Sequence, residues 1–283
     1  MKKQIYVLLV LFLGNFLTSC SMVKSKTSSP GNSFSIIQGL TSATTTEINI
    51  LINKQDNPIV SLIDEKSNSI MSMSSSNDYF IEGSEWGIKR IYFSTLTENN
   101  DYTLQVKSTT GFIDSRSLRT LDLTKKKPRI AILSCMDDDK INEQKIMWQG
   151  LMSQSPDMIF LIGDQVYADW KDGKKLSTPL TIPQVWNRYV DSRLVIDLYK
   201  SKKLIPTLAI WDDHDYGIND GDETNPIKED LKKLFYSFYP QNEESAFFSK
   251  GPGVSFHFKA FEQNFYFLDN RSFRSPNLGL VKK

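Results

Sequence analysis

Two uninterrupted apolar runs constrain this chain more than any other feature. Arg129-Ile130-Ala131-Ile132-Leu133-Ser134-Cys135 and the stretch Asp157–Gly163, with Met158-Ile159-Phe160-Leu161-Ile162 at its centre, show no alternation of polar and apolar residues. A strand without alternation is buried on both faces, which is the environment of a parallel sheet. Asn142–Met152 lies between them and reads as a helix with Ile146, Met147, Gly150 and Leu151 on its inner face. Strand, helix and strand within about 35 residues make a βαβ unit. Leu208-Ala209-Ile210, led in by Ile205-Pro206-Thr207, supplies a third buried strand. Further helices are predicted over Pro183–Lys200 and Pro226–Tyr239. The second has proline in its first turn and Leu231, Leu234, Phe235 and Phe238 on one face. Val254–Ala260 and Asn264–Leu268 predict an antiparallel hairpin.

Upstream of Lys125-Lys126-Lys127-Pro128 the pattern is different. Phe34–Ile37, Glu47–Ile52, Pro58–Ile63, Lys89–Leu96, Tyr102–Val106 and Ser117–Leu123 are short strands separated by Asn, Asp, Ser and Gly clusters. Such spacing predicts a β-sandwich over residues 34–124. Leu96 followed by Tyr102 resembles the corner-tyrosine region of fibronectin type III-like domains. This stretch holds no His or Cys and only scattered carboxylates, so a scaffold without chemistry is expected. Pro128 has no N–H for a strand ladder, and the second domain is placed at 128–283.

Lys2 and Lys3 precede a short apolar segment, Ile5–Leu13, the make-up of a secretory signal peptide at 1–19. Leu17-Thr18-Ser19-Cys20 resembles the lipobox of bacterial lipoproteins, which implies cleavage before Cys20 and lipidation of its sulfur. Residues 20–33, rich in Ser and Thr, then form a tether. The expectation is an exported protein of the bacterial cell envelope, anchored to the membrane by lipid. Cys20 and Cys135 are the only cysteines, so a lipidated Cys20 leaves Cys135 as buried filler or a ligand. A formal net charge of +1 gives no case for nucleic acid. The sequence implies no protein partner.

The chemistry gathers where the three buried strands end: at Cys135, at Asp164 with Tyr167, and at Asp213 with His214. Strand C-termini of a parallel sheet share one edge, where ligands bind. Trp211–Gly221 is the densest part, with Asp212, Asp213, Asp215, Asp220, His214 and Asn219. Charges packed at the mouth of a buried strand are costly unless a metal or an anionic substrate uses them. Asp164 can bridge two cations, while a phenolate and a thiolate suit a trivalent or thiophilic ion. Asp213 supplies oxygen to a second ion, and His214 can bond a phosphoryl oxygen or protonate a leaving alkoxide.

Ser134-Cys135, Gly163-Asp164-Gln165-Val166-Tyr167-Ala168-Asp169, Trp186-Asn187-Arg188-Tyr189, Trp211-Asp212-Asp213-His214-Asp215 and Leu268-Asp269-Asn270-Arg271-Ser272-Phe273-Arg274 resemble the alkaline phosphatase D (PhoD-like) family. The resemblance implies a fibronectin III-like β-sandwich followed by an α/β metallophosphatase domain (an α/β sandwich). It further implies hydrolysis of phosphate mono- and diesters by a hydroxide that two metals activate, Fe3+ with Ca2+ or another divalent ion. Cys135 and Tyr167 would bind the ferric ion and Asp164 would bridge. Asp213, with Asn219 near it, would take the second metal, and His214 would assist catalysis. Arg188, Arg271 and Arg274 are candidates for contacting phosphate or shaping the site. Family members also carry a Gly-Asp-x-His motif that completes both metal sites. No such motif occurs in this chain, so the metallophosphatase domain is expected to be incomplete at its C-terminus. The alternative expectation is an inactive, truncated member serving as a surface lipoprotein or binding module.

Overall fold

The computed structural model describes residues 33–243 and 245–277, which fall within one compact unit. The expected signal peptide, Cys20 and all but the last residue of the tether lie outside them, as does Gly279–Lys283. Among the described residues no helix is long and apolar enough to cross a membrane.

Seven antiparallel strands come first: β1 (Ser35–Thr41), β2 (Thr46–Asn53), β3 (Ile59–Asp64), β4 (Ser75–Tyr79), β5 (Trp86–Phe93), β6 (Asp101–Lys107) and β7 (Ile113–Arg119). They form two sheets, ordered β1-β2-β5-β4 and β3-β6-β7. Alternation selects the inner face. In β6 Tyr102, Leu104 and Val106 are buried, and they join Ile48, Ile50, Ile91 and Leu62 in one core shared by both sheets. The amide of Thr97 donates to the Tyr102 hydroxyl at 2.8 Å, which pins the turn before β6. In β7 the buried positions include Asp114 and Arg116. These two form an ion pair with fully buried side chains at 2.7 Å. Asp114 also accepts from Lys202 at 2.8 Å and from the Phe34 amide at 2.8 Å.

Strands β1 and β2 are buried on both faces because their second face carries the rest of the chain. That part runs β8 (Ile130–Leu133), α1 (Ile141–Ser153), β9 (Met158–Leu161), the small hairpin β10 (Trp170–Lys171) and β11 (Lys174–Lys175), α2 (Ile182–Val195), β12 (Thr207–Ala209) and α3 (Lys228–Phe238). Strands β8, β9 and β12 make a parallel sheet with β9 central. Ile37, Leu40, Leu51 and Ile88 of the first sheet share a core with Trp186, Tyr189, Phe235 and Phe238. Polar contacts reinforce this seam: the Trp186 indole donates to the Trp86 carbonyl at 3.1 Å and Asn49 to the Ser237 carbonyl at 2.8 Å. The C-terminal strands β13 (Phe248–Lys250), β14 (Phe256–Ala260) and β15 (Gln263–Phe267) form an antiparallel sheet.

The inner face assigned to the first helix requires correction. Ile146 is 77 % exposed and Met147 41 %, and Gly150 is exposed; Trp148 is the buried residue of α1, with Leu151 and Met152 partly buried. The Trp148 indole donates to Gln144 one turn earlier at 3.3 Å, and the inward face runs through Trp148, Leu151 and Met152, three and four residues apart, with Ile146 on the opposite side. One face of the parallel sheet is open as well. Ile132 and Ile162 are 62 % and 47 % exposed, and with Leu268 they border an apolar trough of about 540 Å³.

Candidate metal centre

The three parallel strands deliver Cys135, Asp164 and Asp213 to one edge because each lies just beyond a strand end, and parallel strands end on the same side. Two of these residues sit in backbone conformations that L-residues avoid: φ is +58° at Cys135 and +55° at Asp164. Left-handed backbone costs about 1–2 kcal/mol per non-glycine residue and persists only where neighbouring bonds enforce it. Here the Met136 amide donates to the Asp164 carbonyl at 2.7 Å and the Cys135 amide to the Gly163 carbonyl at 3.2 Å. The two turns therefore hold each other, and the Cys135 thiol lies 3.7 Å from an Asp164 carboxylate oxygen. Gly163 precedes Asp164 at φ +117°, where an added Cβ would fall 2.5 Å from the Asp212 Cβ. Gly163→Ala is expected to cost at least about 1–3 kcal/mol in a denaturant titration and to impair the site with it.

Asp164, Asp213 and His214 each offer one ligand atom, and these atoms lie within 4.8 Å of one another. Burial pushes the Asp164 carboxyl up; His214 pulls it back, and the neighbouring Asp213 and Asp212 add to the rise. Its Oδ1 is buried without a hydrogen-bond partner, a costly state for an ionised oxygen. Burial also works to raise Asp213, but the Asp220 amide at 2.6 Å and the charge of Arg271 outweigh it and hold its carboxyl low. Burial pulls His214 down, and its bond to Asp169 more than reverses this, so the imidazole is raised. Tyr167 stacks on the His214 ring at 4.3 Å; burial first, then Cys135 and Asp164, push its phenol well up.

The remaining predicted residues have definite places. The exposed Asn219 donates its side chain to Asp220 at 2.8 Å. Arg188 is 5 % exposed at its side chain and pairs with Asp138 at 2.7 Å and Asp191 at 3.1 Å, with a further bond to the Tyr167 carbonyl at 3.3 Å. Arg271 pairs with Asp212, and Arg274 bonds Asn277. Sequence reasoning assigned no role to two buried carboxylates. Asp215 accepts from the amides of Asp164 at 2.6 Å, Val166 at 2.9 Å and Asp212 at 3.0 Å, joining the two acidic loops. Asp169 bonds His214 Nδ1 at 2.6 Å. Both stood inside the motifs, but nothing in their spacing distinguishes an inward carboxylate from its outward neighbours.

No protein-family model matches the sequence, and no curated protein matches it. Among solved structures, the structure of PhoD matches with a TM-score of 0.62 over 85 % of this chain, at 17 % identity. The chain has a PhoD-like fold. It spans about half of that protein, 52 % of its length. The match to astrotactin-2, with a TM-score of 0.25 over 43 % of this chain at 16 % identity and 26 % of that chain, carries no weight. The chain is thus mainly β-sheet with few helices, in the arrangement PhoD shares over the matched part, and a cluster able to hold a metal stands at the end of its parallel strands.

Proposed function

We propose that this chain is a metal-dependent hydrolase of phosphate mono- and diesters. The observation that carries the proposal is the buried, partnerless Oδ1 of Asp164 beside Asp213 and His214. A cation held among these three side chains would satisfy that oxygen. The wider donor set also fits the two ions expected, a thiol and a phenol for iron and carboxylates for a divalent ion. Cys135, Tyr167 and Asp164 would hold the first, and Asp164, Asp213 and Asn219 the second. Bound there, two metals supply a hydroxide at neutral pH and neutralise charge on the phosphoryl group.

The protein's own groups have separate tasks. Asp215 ties Asp164 and Asp212 together, so the carboxylates meet the substrate preorganised. His214 has Nδ1 engaged by Asp169, which leaves Nε2 to bond a phosphoryl oxygen or protonate the departing alkoxide. Arg188 and Arg271 are engaged with carboxylates and act on phosphate by shaping loops. With the fibronectin III-like sandwich as support, the enzyme would work in the bacterial cell envelope, on the periplasmic or surface side, anchored through a lipid on Cys20.

One observation favours a second reading, an inactive family member that serves as a surface lipoprotein. The open apolar trough begins at Trp211 and Asn270, and Asn270 bonds Asp212 at 2.9 Å, so a bare face adjoins the site. Hydrolysis of p-nitrophenyl phosphate and bis(p-nitrophenyl) phosphate with iron and calcium added decides between them. Metal-dependent turnover is expected; no turnover under any metal would leave the second reading.

A further inference from the structure

We infer that Gln165 and Gln241 are positioning residues for the site: two buried side-chain amides that clamp the exit of β12 from its two edges and so fix the Asp213 loop against the Asp164 loop. The inference rests on the phosphoesterase reading for what that spacing serves, though not for the clamp itself. β12 is an edge strand of the parallel sheet, so one side of its backbone has no strand to pair with. There the Gln241 side chain stands in for one. Its Nε2 donates to the Ala209 carbonyl and its Oε1 accepts from the Ala209 amide, both at 2.8 Å. The next residue faces the other way. The Ile210 amide donates to the Leu161 carbonyl of β9 at 2.9 Å, and the Ile210 carbonyl accepts from Gln165 Nε2 at 2.9 Å. Gln165 Oε1 in turn accepts from the Gly163 amide at 3.0 Å. Both glutamines are 0 % exposed.

Neither end of the clamp has much slack. Gln165 reaches from Gly163, next to Asp164, to Ile210, three positions before Asp213, so it bridges the two carboxylate loops directly. Gln241 is fixed by the sandwich. The Leu40 amide of β1 donates to the Pro240 carbonyl at 2.7 Å, and Glu47 of β2 accepts from the amides of Asn242 and Glu243, each at 2.8 Å. A Cβ at Gly39 would fall 2.0 Å from the Pro240 carbonyl oxygen, so glycine permits this close approach. The seam with the sandwich therefore sets β12, and β12 sets Asp213. The chemistry demands a primary amide at both places. Each side chain meets one N–H and one C=O and must accept with its oxygen and donate with its nitrogen; an ionised carboxylate only accepts, and a methionine has no N–H to give. Removing either amide leaves buried backbone groups without partners and frees the strand exit to shift. Outer partners that orient metal ligands change metal affinity or activity by about 10–100-fold when lost.

The test uses the full chain as wild type, Gln165→Met and Gln241→Met, whose side chains keep the length and lose the paired bonds. In metal-free protein, hydrogen exchange is expected to speed at the Ala209 amide in Gln241→Met and at the Gly163 amide in Gln165→Met, with circular dichroism unchanged. In iron-loaded protein both variants are expected to keep the charge-transfer colour of iron with phenolate or thiolate. They should nonetheless bind Ca2+ about 10–100-fold more weakly, with kcat falling by a similar factor and KM within a few-fold. A role in stability alone would lower the melting temperature and leave Ca2+ affinity at the wild-type value, and that result would overturn the inference. Unchanged exchange at both amides would overturn it as well. Should one variant fail to fold, the other carries the test, because the two glutamines hold different residues of the same strand exit. A wild type that neither binds metal nor hydrolyses phosphate esters would overturn the phosphoesterase reading alone, and exchange at Ala209 and Gly163 would still decide the clamp.

Discussion

Asp164→Ala is expected to lower phosphoesterase kcat/KM by at least about 10³-fold while leaving the metal-free protein as stable as wild type or more so. The two halves of this expectation have one cause. In the folded protein the Asp164 carboxyl is held up by burial, with Asp213 and Asp212 adding to the rise against the pull of His214. For an acid whose folded value exceeds its unfolded value, ionisation opposes folding: the metal-free protein gains stability as pH falls through the folded value and is penalised above it. Alanine removes that penalty. The turn itself survives, because backbone bonds between Met136, Cys135 and the Gly163–Asp164 carbonyls hold it. A site that is unfavourable when empty and indispensable when filled distinguishes a ligand from a structural carboxylate. Activity assays paired with denaturant titration of the same two proteins check it. Activity in the alanine variant within a few-fold of wild type would refute the assignment.

The opposite pattern is expected at Asp114. Asp114→Ala should cost about 3–5 kcal/mol of stability, a large share of the roughly 5–15 kcal/mol typical of a folded domain. Arg116 is as buried as Asp114, so the variant leaves a charge in the interior without its counter-ion. It also removes the acceptor of the Phe34 amide and of Lys202, and so loosens the joint between the sandwich and the segment entering β12. Burial works to raise the Asp114 carboxyl, but bonds to Arg116 and Lys202 overcome it and the value is lowered. A lowered acid contributes stability that is fully present above its unfolded value of about 3.9 and is lost as pH falls through the folded value. Wild type is therefore expected to lose midpoint stability below about pH 4, and Asp114→Ala to show a weaker loss over that range. Metal content per folded molecule should be unchanged. Calorimetry from pH 7 to pH 3 on both proteins is the check.

The architecture was legible where apolar runs are unbroken. Arg129–Cys135 and Asp157–Gly163 could be read as parallel strands from such runs, although β8 is covered on one face only, and the ends of these two strands and of β12 then located Cys135, Asp164 and Asp213. The partner of the Tyr102 hydroxyl, the Thr97 amide, is local in sequence. What escaped is what depends on distant pairing. Ile146 and Trp148 lie in the same helix, and period alone did not choose which of them faces inward. Asp169 and Asp215 reach His214 and the Asp164 turn across roughly fifty residues of chain, and a carboxylate one position along a loop carries no mark of its direction. The strain at Cys135 and Asp164 was equally hidden, since neither residue type announces a left-handed backbone.

The most direct measurement is the metal content and visible spectrum of the protein reconstituted with Fe3+ and Ca2+, beside Cys135→Ser, Tyr167→Phe and Asp164→Ala. Wild type is predicted to retain iron and a second ion and to be coloured by charge transfer from phenolate or thiolate. Tyr167→Phe and Cys135→Ser should each shift or weaken the band, and Asp164→Ala should lose both ions. A well-folded, colourless wild type that binds no more metal than Asp164→Ala would contradict a metal centre at the end of these strands.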